Sequence, residues 1–141
     1  MSIKLTNIII DKLHIYDFTI NLTLEDINYL NLLIQISPQI FDYIELQIRQ
    51  ININNKIKYY ELPNIILCIA SLLKKDVLKN DIKNINLINI IKFIIDTSIV
   101  LVPLRNEDTY IIKVVIESSL KLLIFELKTY EQNKRYNCMC F

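Results

Sequence analysis

The chain has 141 residues, a formal net charge of +1 and 52% hydrophobic residues, and it contains no glycine. This length predicts one domain, and the near-neutral charge argues against a nucleic-acid-binding protein, which normally carries a basic stripe. The absence of glycine excludes phosphate-binding loops, the Rossmann fingerprint and the nucleophile elbow, because each needs backbone positions that only glycine can occupy.

Within the N-terminal segment, residues 1–22, apolar and polar residues alternate in two pieces, at Ile3–Leu5 and from Leu13 to Leu22. A period of two predicts extended structure, as one or two short strands. The single histidine, His14, lies in this segment and is expected to be structural, since there is no second histidine for metal chemistry. Thr23, followed three residues later by Asp26, then approximates a capping box and predicts the start of the first helix.

Three helical regions are predicted after this start. The first spans residues 24–49 and is stepped or kinked at Pro38. The second begins at Pro63, with apolar residues at spacings of three and four, and places Cys68 on its apolar face as a small core residue. The third, over residues 82–102, is apolar over most of its circumference, as expected for a central helix.

The C-terminal part predicts one more helix and a tail. Asn80 or Asp81 is expected to cap the helix at 82–102, Pro103 ends that helix, and a final helix runs from Thr109 to about Tyr130. The predicted fold is therefore a mainly α, single-domain bundle of four to five helices, with a short extended or β N-terminal segment. Its parts are the extended segment 1–22, a helical domain 23–130 and a tail 131–141.

The stretch QININNKIKYYE, residues 50–61, has the spacing of an EF-hand calcium loop. The positions of calcium ligands in such a loop are taken by Gln50, Asn52, Asn54, Lys56 and Glu61. Only Glu61 supplies a carboxylate, whereas Ca²⁺ is held by several. The loop is therefore degenerate and is not expected to bind calcium, and no other metal or cofactor is predicted.

The same region also fits a β-hairpin. Ile44 and Ile48 belong to an alternating apolar pattern, and Asn54-Asn55 is an acceptable tight turn. Ile40, Ile44 and Ile48 also lie on one helical face, and a helix begins at Pro63. We favour a helix-loop-helix, with an α+β fold containing a hairpin at 44–60 as the alternative.

This loop carries a resemblance to a group of known proteins. The helix, the amide-rich loop and the following K-I-x-x-x-E-L-P pattern look like small helical proteins of AT-rich large DNA viruses. The residues that carry it are Asn54, Asn55, Lys56, Ile57, Glu61, Leu62 and Pro63. The resemblance implies a virion or capsid-associated structural component and not an enzyme.

The last four residues, Cys138-Met139-Cys140-Phe141, fit a C-a-a-X motif. In such a motif Cys138 would carry the prenyl group. Cys140 is a poor aliphatic at the penultimate position. A chance terminal motif is the simpler interpretation, and a prenylated peripheral membrane protein is a third-ranked hypothesis.

The function predicted from these features is a non-enzymatic structural or adaptor protein that acts through protein–protein contacts, as a virion or minor capsid component. The apolar excess predicts self-association or binding to other virion proteins. The alternative is a viral regulator that resembles the apoptosis-regulator bundles and binds host helical peptides. No nucleic-acid or membrane partner is expected, and the expected location is the host cytoplasm or the virion.

Overall fold

The architecture is a bundle of α-helices with one small hairpin. The computed structural model describes residues 4–15, 21–53 and 56–140, with the side chains of the last helix described as far as Ile124. In this part of the chain the helices are α1 Leu5–Leu13, α2 Leu24–Ile36, α3 Pro38–Arg49, α4 Leu62–Lys79, α5 Leu87–Ser98 and α6 Asn106–Cys140. Strands β1 Asn52–Ile53 and β2 Lys56–Ile57 are antiparallel. The prediction of a mainly α bundle is confirmed.

The N-terminal segment differs from its prediction, because α1 is a helix and not an extended strand. Leu5, Ile9 and Leu13 are its buried residues and are spaced by four, so the buried set follows a helical period. The side chain of Lys4 provides no cap, and the backbone N–H of Leu5 instead donates a 2.6 Å hydrogen bond to Glu45 Oε1 on α3. Tertiary contacts therefore override the alternating pattern.

The predicted helix over residues 24–49 is two helices that meet at Ser37. Ser37 has a non-helical backbone (φ −132°, ψ 55°), because the residue before a proline is disfavoured in the α region, and Pro38 begins α3. The capping box at the start of α2 is confirmed: Asp26 N donates to Thr23 Oγ1 at 3.1 Å, and Thr23 N donates to Asp26 Oδ2 at 3.0 Å.

The connection between α3 and α4 contains features of both interpretations. Helices flank the loop, as the favoured helix-loop-helix interpretation predicted, and residues 44–49 are helical rather than extended. Inside the loop, β1 and β2 pair Asn52 with Ile57 and Ile53 with Lys56, so the hairpin exists but is only two residues long on each side. Its turn residues, Asn54 and Asn55, lie outside the described residues.

The start of α5 was predicted wrongly. Neither Asn80 nor Asp81 caps it; α5 begins at Leu87, and Asn86 caps it by accepting a 3.1 Å hydrogen bond from Asn89 N. Asp81 instead adopts a left-handed conformation (φ 51°) after α4. The N–H of Ile82 then donates to Val77 O, which is the bond of a Schellman motif.

The core is built around α5, which contacts α1, α3, α4 and α6. Seven of its residues are buried: Ile90, Ile91, Phe93, Ile94, Ile95, Thr97 and Ser98. The helix predicted as central is therefore central. The opposite side keeps Lys92 and Asp96 exposed, as their shared spacing predicts.

Candidate functional site

An open apolar groove of about 420 Å³ lies between α3 and α4. We name it the α3/α4 groove. Its walls are formed by Gln39, Ile40 and Tyr43 on α3 and by Cys68, Ser71 and Leu72 on α4. Its volume falls within the range of ligand-binding pockets.

The groove lies beside the buried faces of the two helices. The core face of α3 is made by Phe41, Ile44 and Ile48, and the groove residues of α3 lie beside this face. On α4 the side chains towards the groove include Cys68 and Ser71, which are small and leave space above the helix contact. Packing of the core therefore leaves a channel along the outer side of the helix pair.

Exposed apolar side chains are frequent on the helices that form the groove and on α2, which precedes them. Tyr43 is 42% exposed, Leu67 41%, Leu46 53% and Ile36 67%. Exposed apolar residues that occur singly need no explanation, but several around an apolar groove are typical of an interaction surface. The excess of hydrophobic residues in the sequence is partly accommodated here.

The groove face of α4 continues into two lysines. Lys75 and Lys79 follow Cys68 by seven and eleven residues, a spacing that keeps them on the same side of the helix. Both are exposed, and neither forms an ion pair among the described residues. One end of the groove is therefore basic.

The acidic groups of α3 and α4 are placed away from this basic end or are already hydrogen-bonded. Asp76 accepts a 2.7 Å hydrogen bond from the Tyr29 hydroxyl and a 3.1 Å bond from Asn80 Nδ2. Glu45 is engaged with the first turn of α1. Asp42 is exposed and lies about 100° around α3 from Tyr43, because each helical residue turns the chain by that angle.

The bond between Tyr29 and Asp76 fixes α2 against α4 beside the groove. Burial raises the pKa of the Tyr29 phenol well above its ordinary value, and the hydrogen bond to Asp76 and the charge of that carboxylate raise it further. Tyr29 therefore stays neutral and donates its proton at all ordinary pH values. The hydrogen bond that joins α2 to α4 would be broken by deprotonation of the Tyr29 hydroxyl.

A second tyrosine connects the α3 to α4 loop with α6. The Tyr59 hydroxyl donates to Asp108 Oδ1, and the backbone N–H of Arg105 donates to Asp108 Oδ2 at 3.2 Å. These two bonds hold the pKa of the Asp108 carboxyl below its ordinary value. The hairpin end of the loop is thus attached to the first turn of α6 and not to α4 alone.

A third carboxylate, Asp96 on α5, has a raised pKa. The main cause is partial desolvation by its surroundings, although the side chain still reaches solvent. The charge of Lys92 opposes the rise, and that of Glu117 adds to it. Asp96 does not line the α3/α4 groove, and the charges of Glu117 and Lys113 that act on it belong to α6, so we assign it to the α5 to α6 contact.

The EF-hand-like residues are not assembled around a common point. Gln50 and Lys56 are exposed, and the Glu61 carboxylate lies 3.9 Å from the Lys58 ammonium group. Asn52 is engaged in the hairpin, and its Oδ1 atom is buried without a hydrogen-bond partner among the described residues. Asn54 lies outside the described residues.

The structure describes the side chain of Cys68 but not those of Cys138 and Cys140. Cys68 was predicted as a core residue, but it is exposed and lines the groove. The reason is that the core face of α4 is formed by Ile65, Ile66, Ile69 and Leu73, and Cys68 lies beside it. The side chain of Cys138, the proposed lipidation site, lies outside the described residues.

The sequence did not reveal the groove, although α4 carried a signal for it. Its apolar residues cover more of the helix circumference than one buried face requires, since Leu67, Cys68 and Leu72 lie beside that face. An apolar side of this width indicates a second contact surface. The contribution of Gln39 and Tyr43 could not be found in the same way, because it depends on how α3 packs against α4.

Within the described ranges, no three His, Cys, Asp or Glu side chains lie close enough to hold a metal ion. Among the same residues, no helix is sufficiently long and apolar to cross a membrane. Comparisons with protein-family models, with curated proteins and with solved structures give no match. The groove offers apolar contacts along its length, and two exposed lysines follow it on the same side of α4.

Proposed function

We propose that this protein is a non-enzymatic structural or adaptor protein that acts through protein–protein contacts made at the α3/α4 groove. The observation that carries the proposal is the groove itself, an open apolar cavity lined by Ile40, Tyr43 and Leu72, on two helices that also expose Leu46 and Leu67. Aromatic and aliphatic residues of this kind supply most of the binding energy in protein interfaces.

The resemblance to small helical proteins of AT-rich large DNA viruses supports a role for these contacts in a virion, as a minor capsid component. Assembly into a particle would cover apolar surface that a free monomer exposes to water. At about 25 cal/mol per Å² of apolar surface removed from water, this burial favours assembly. The partners in this proposal are other virion proteins or further copies of the chain.

The proposal is tested by locating the native protein and its contacts. A photo-crosslinking amino acid replaces Ser71, which is exposed in the groove, and in a matched variant it replaces Ser118, which is exposed on α6. We expect the protein in purified particles and crosslinks from position 71 to one defined protein. A stable monomer that is absent from particles, with equal crosslinking from both positions, would contradict the proposal.

The second candidate is a viral regulator that binds helical peptides of the host, and the two-helix wall of the groove favours it. Recognition of an amphipathic helix in an apolar groove is a common binding mode. The two functions are distinguished by location: a regulator is expected in the infected cell with a host protein crosslinked at position 71, and not in purified particles.

A further inference from the structure

We propose that the α3/α4 groove docks an amphipathic helix of a partner protein that carries acidic residues, with the acidic residues placed against Lys75 and Lys79. This inference rests on the proposed function and specifies the chemistry of the partner. It assigns an apolar contact to the walls of the groove and a charge contact to its basic end.

The shape of the groove suits a helix. Two packed helices form its sides, and a third helix laid between them would present residues at spacings of three, four and seven to the apolar walls. From Cys68 to Lys79 the groove face of α4 spans about 16 Å, which is three helical turns. A partner helix would place one apolar residue in each of two turns and an acidic residue in the third.

The distribution of charge selects an acidic partner. Lys75 and Lys79 are exposed on the side of α4 that lines the groove, beyond Leu72 towards the end of the helix. The carboxylates near them in sequence have other partners: Asp76 accepts bonds from Tyr29 and Asn80, and Asp81 lies 3.9 Å from the Lys83 ammonium group. A glutamate on the partner would therefore meet positive charge, while a lysine there would be repelled.

The same charges argue against a second copy of this chain as the occupant. A twofold contact centred on the groove would place the lysines of each protomer against the opposite end of the other protomer's groove, because a symmetric interface pairs residue i with residue j and j with i. The residues that line the groove include no carboxylate that could meet these lysines. A partner helix with acidic residues supplies that charge.

Two synthetic peptides of about 18 residues test the proposal. Both carry leucines at spacings of three and four; one has glutamates at the position facing Lys75, and the other has lysines there. Binding of the fluorescein-labelled peptides to the full chain is measured by fluorescence anisotropy. We expect saturable binding of the acidic peptide, and Ser71→Glu, which places bulk and negative charge in the groove, should weaken it at least tenfold.

Charge reversal supplies the decisive control. Lys75→Glu should weaken the acidic peptide about fivefold, as expected for exposed ion pairs, and should strengthen the basic peptide. Lys121→Glu makes the same charge change at an exposed position of α6 and should leave both affinities unchanged. Circular dichroism confirms that each variant remains folded.

Three results would overturn the inference: equal binding of the two peptides, an acidic-peptide affinity that Lys75→Glu leaves unchanged, or a dimer of the chain that Ser71→Glu dissociates. The last result would assign the groove to a second copy. If crosslinks from position 71 persist while the peptides do not discriminate, the proposed function stands and only the acidic helix fails.

Discussion

The Oδ1 atom of Asp26 accepts a 2.8 Å hydrogen bond from the backbone N–H of Asn86, sixty residues away along the chain. The Oδ2 atom of the same carboxylate accepts from Thr23 N, and the side chain is completely buried. One carboxylate therefore caps α2 and fixes the residue that caps α5.

We expect Asp26→Ala to lower the free energy of unfolding by about 3 kcal/mol, because it removes a fully buried side chain and leaves the part-buried N–H groups of Thr23 and Asn86 without acceptors. Asp42→Ala removes an exposed carboxylate from α3 and should change it by less than about 0.5 kcal/mol. Urea unfolding followed by circular dichroism measures both. Similar losses of unfolding free energy in Asp26→Ala and Asp42→Ala would show that the Asp26 carboxylate, which connects α2 with the start of α5, contributes little to stability.

Asp81→Gly is expected to stabilise the protein by about 0.5 kcal/mol. Asp81 occupies the left-handed position of the Schellman motif after α4 (φ 51°), where glycine avoids the strain of a Cβ atom. Glycine also increases the entropy of the unfolded chain, which limits the gain. Thermal unfolding measures the change.

The matched control for this substitution is Lys79→Gly, two residues earlier in the last turn of α4. Its backbone is right-handed helical, so glycine should destabilise the protein by about 1 kcal/mol. A loss of stability at position 81 of the same size would mean that the left-handed conformation there is not strained.

Tyr29→Phe should cost about 1 kcal/mol at pH 8, because it removes the 2.7 Å hydrogen bond to Asp76. The pKa of Tyr29 is raised in the folded protein, whereas the unfolded chain has a tyrosine pKa of about 10. The stabilisation from the neutral phenol is therefore complete below about pH 10 and is lost as the pH rises further.

The stability of the wild type relative to Tyr29→Phe should consequently fall by up to about 1.4 kcal/mol per pH unit above pH 10, so that its advantage of about 1 kcal/mol is lost by about pH 11. Urea unfolding at several pH values from 8 to 11 measures this slope. Tyr110→Phe, which removes the hydroxyl of an exposed tyrosine on α6, should change the stability at pH 8 by less than about 0.5 kcal/mol. A difference for Tyr29→Phe that stays constant up to pH 11 would indicate an ordinary pKa.

Glu45→Ala should destabilise the protein by about 2 kcal/mol and loosen α1 selectively. The Glu45 carboxylate accepts the 2.6 Å bond from the first N–H of α1, which has no cap of its own. Hydrogen exchange of the α1 amides should accelerate more than that of α5. Gln47→Ala on the same helix should leave both the exchange and the stability nearly unchanged, and uniform acceleration in Glu45→Ala would argue against a local role.

The helical character of the protein could be predicted from local signals. The Thr23 and Asp26 capping box, the proline starts at Pro38 and Pro63 and the apolar stripe of α5 each involve residues within a few positions of one another. Such interactions form in the same way whatever the rest of the chain does. They predicted α2, α4 and the central α5, and they located the break before α3.

The elements that were predicted wrongly depend on distant partners. Extended structure was predicted from two alternating pieces, at residues 3–5 and 13–22, yet residues 5–13 form a helix in which Leu5 and Ile9 are buried in the core and Glu45 caps the first turn. The start of α5 at Leu87 depends on a bond from Asn86 to Asp26. The buried residues of α1 are spaced by four, but the bond from Leu5 to Glu45 and the bond from Asn86 to Asp26 leave no periodic signal in the sequence.

The sequence by itself determined that the chain is mainly helical, where most helices begin, and that glycine-dependent phosphate sites are absent, because these properties depend on residue type and short spacings. Only the tertiary structure decided where the apolar excess lies. The groove between α3 and α4 results from the packing of two helices whose facing residues include Tyr43 and the small Ser71. A cavity between helices depends on the distance between two backbones, and that distance is set by the whole core.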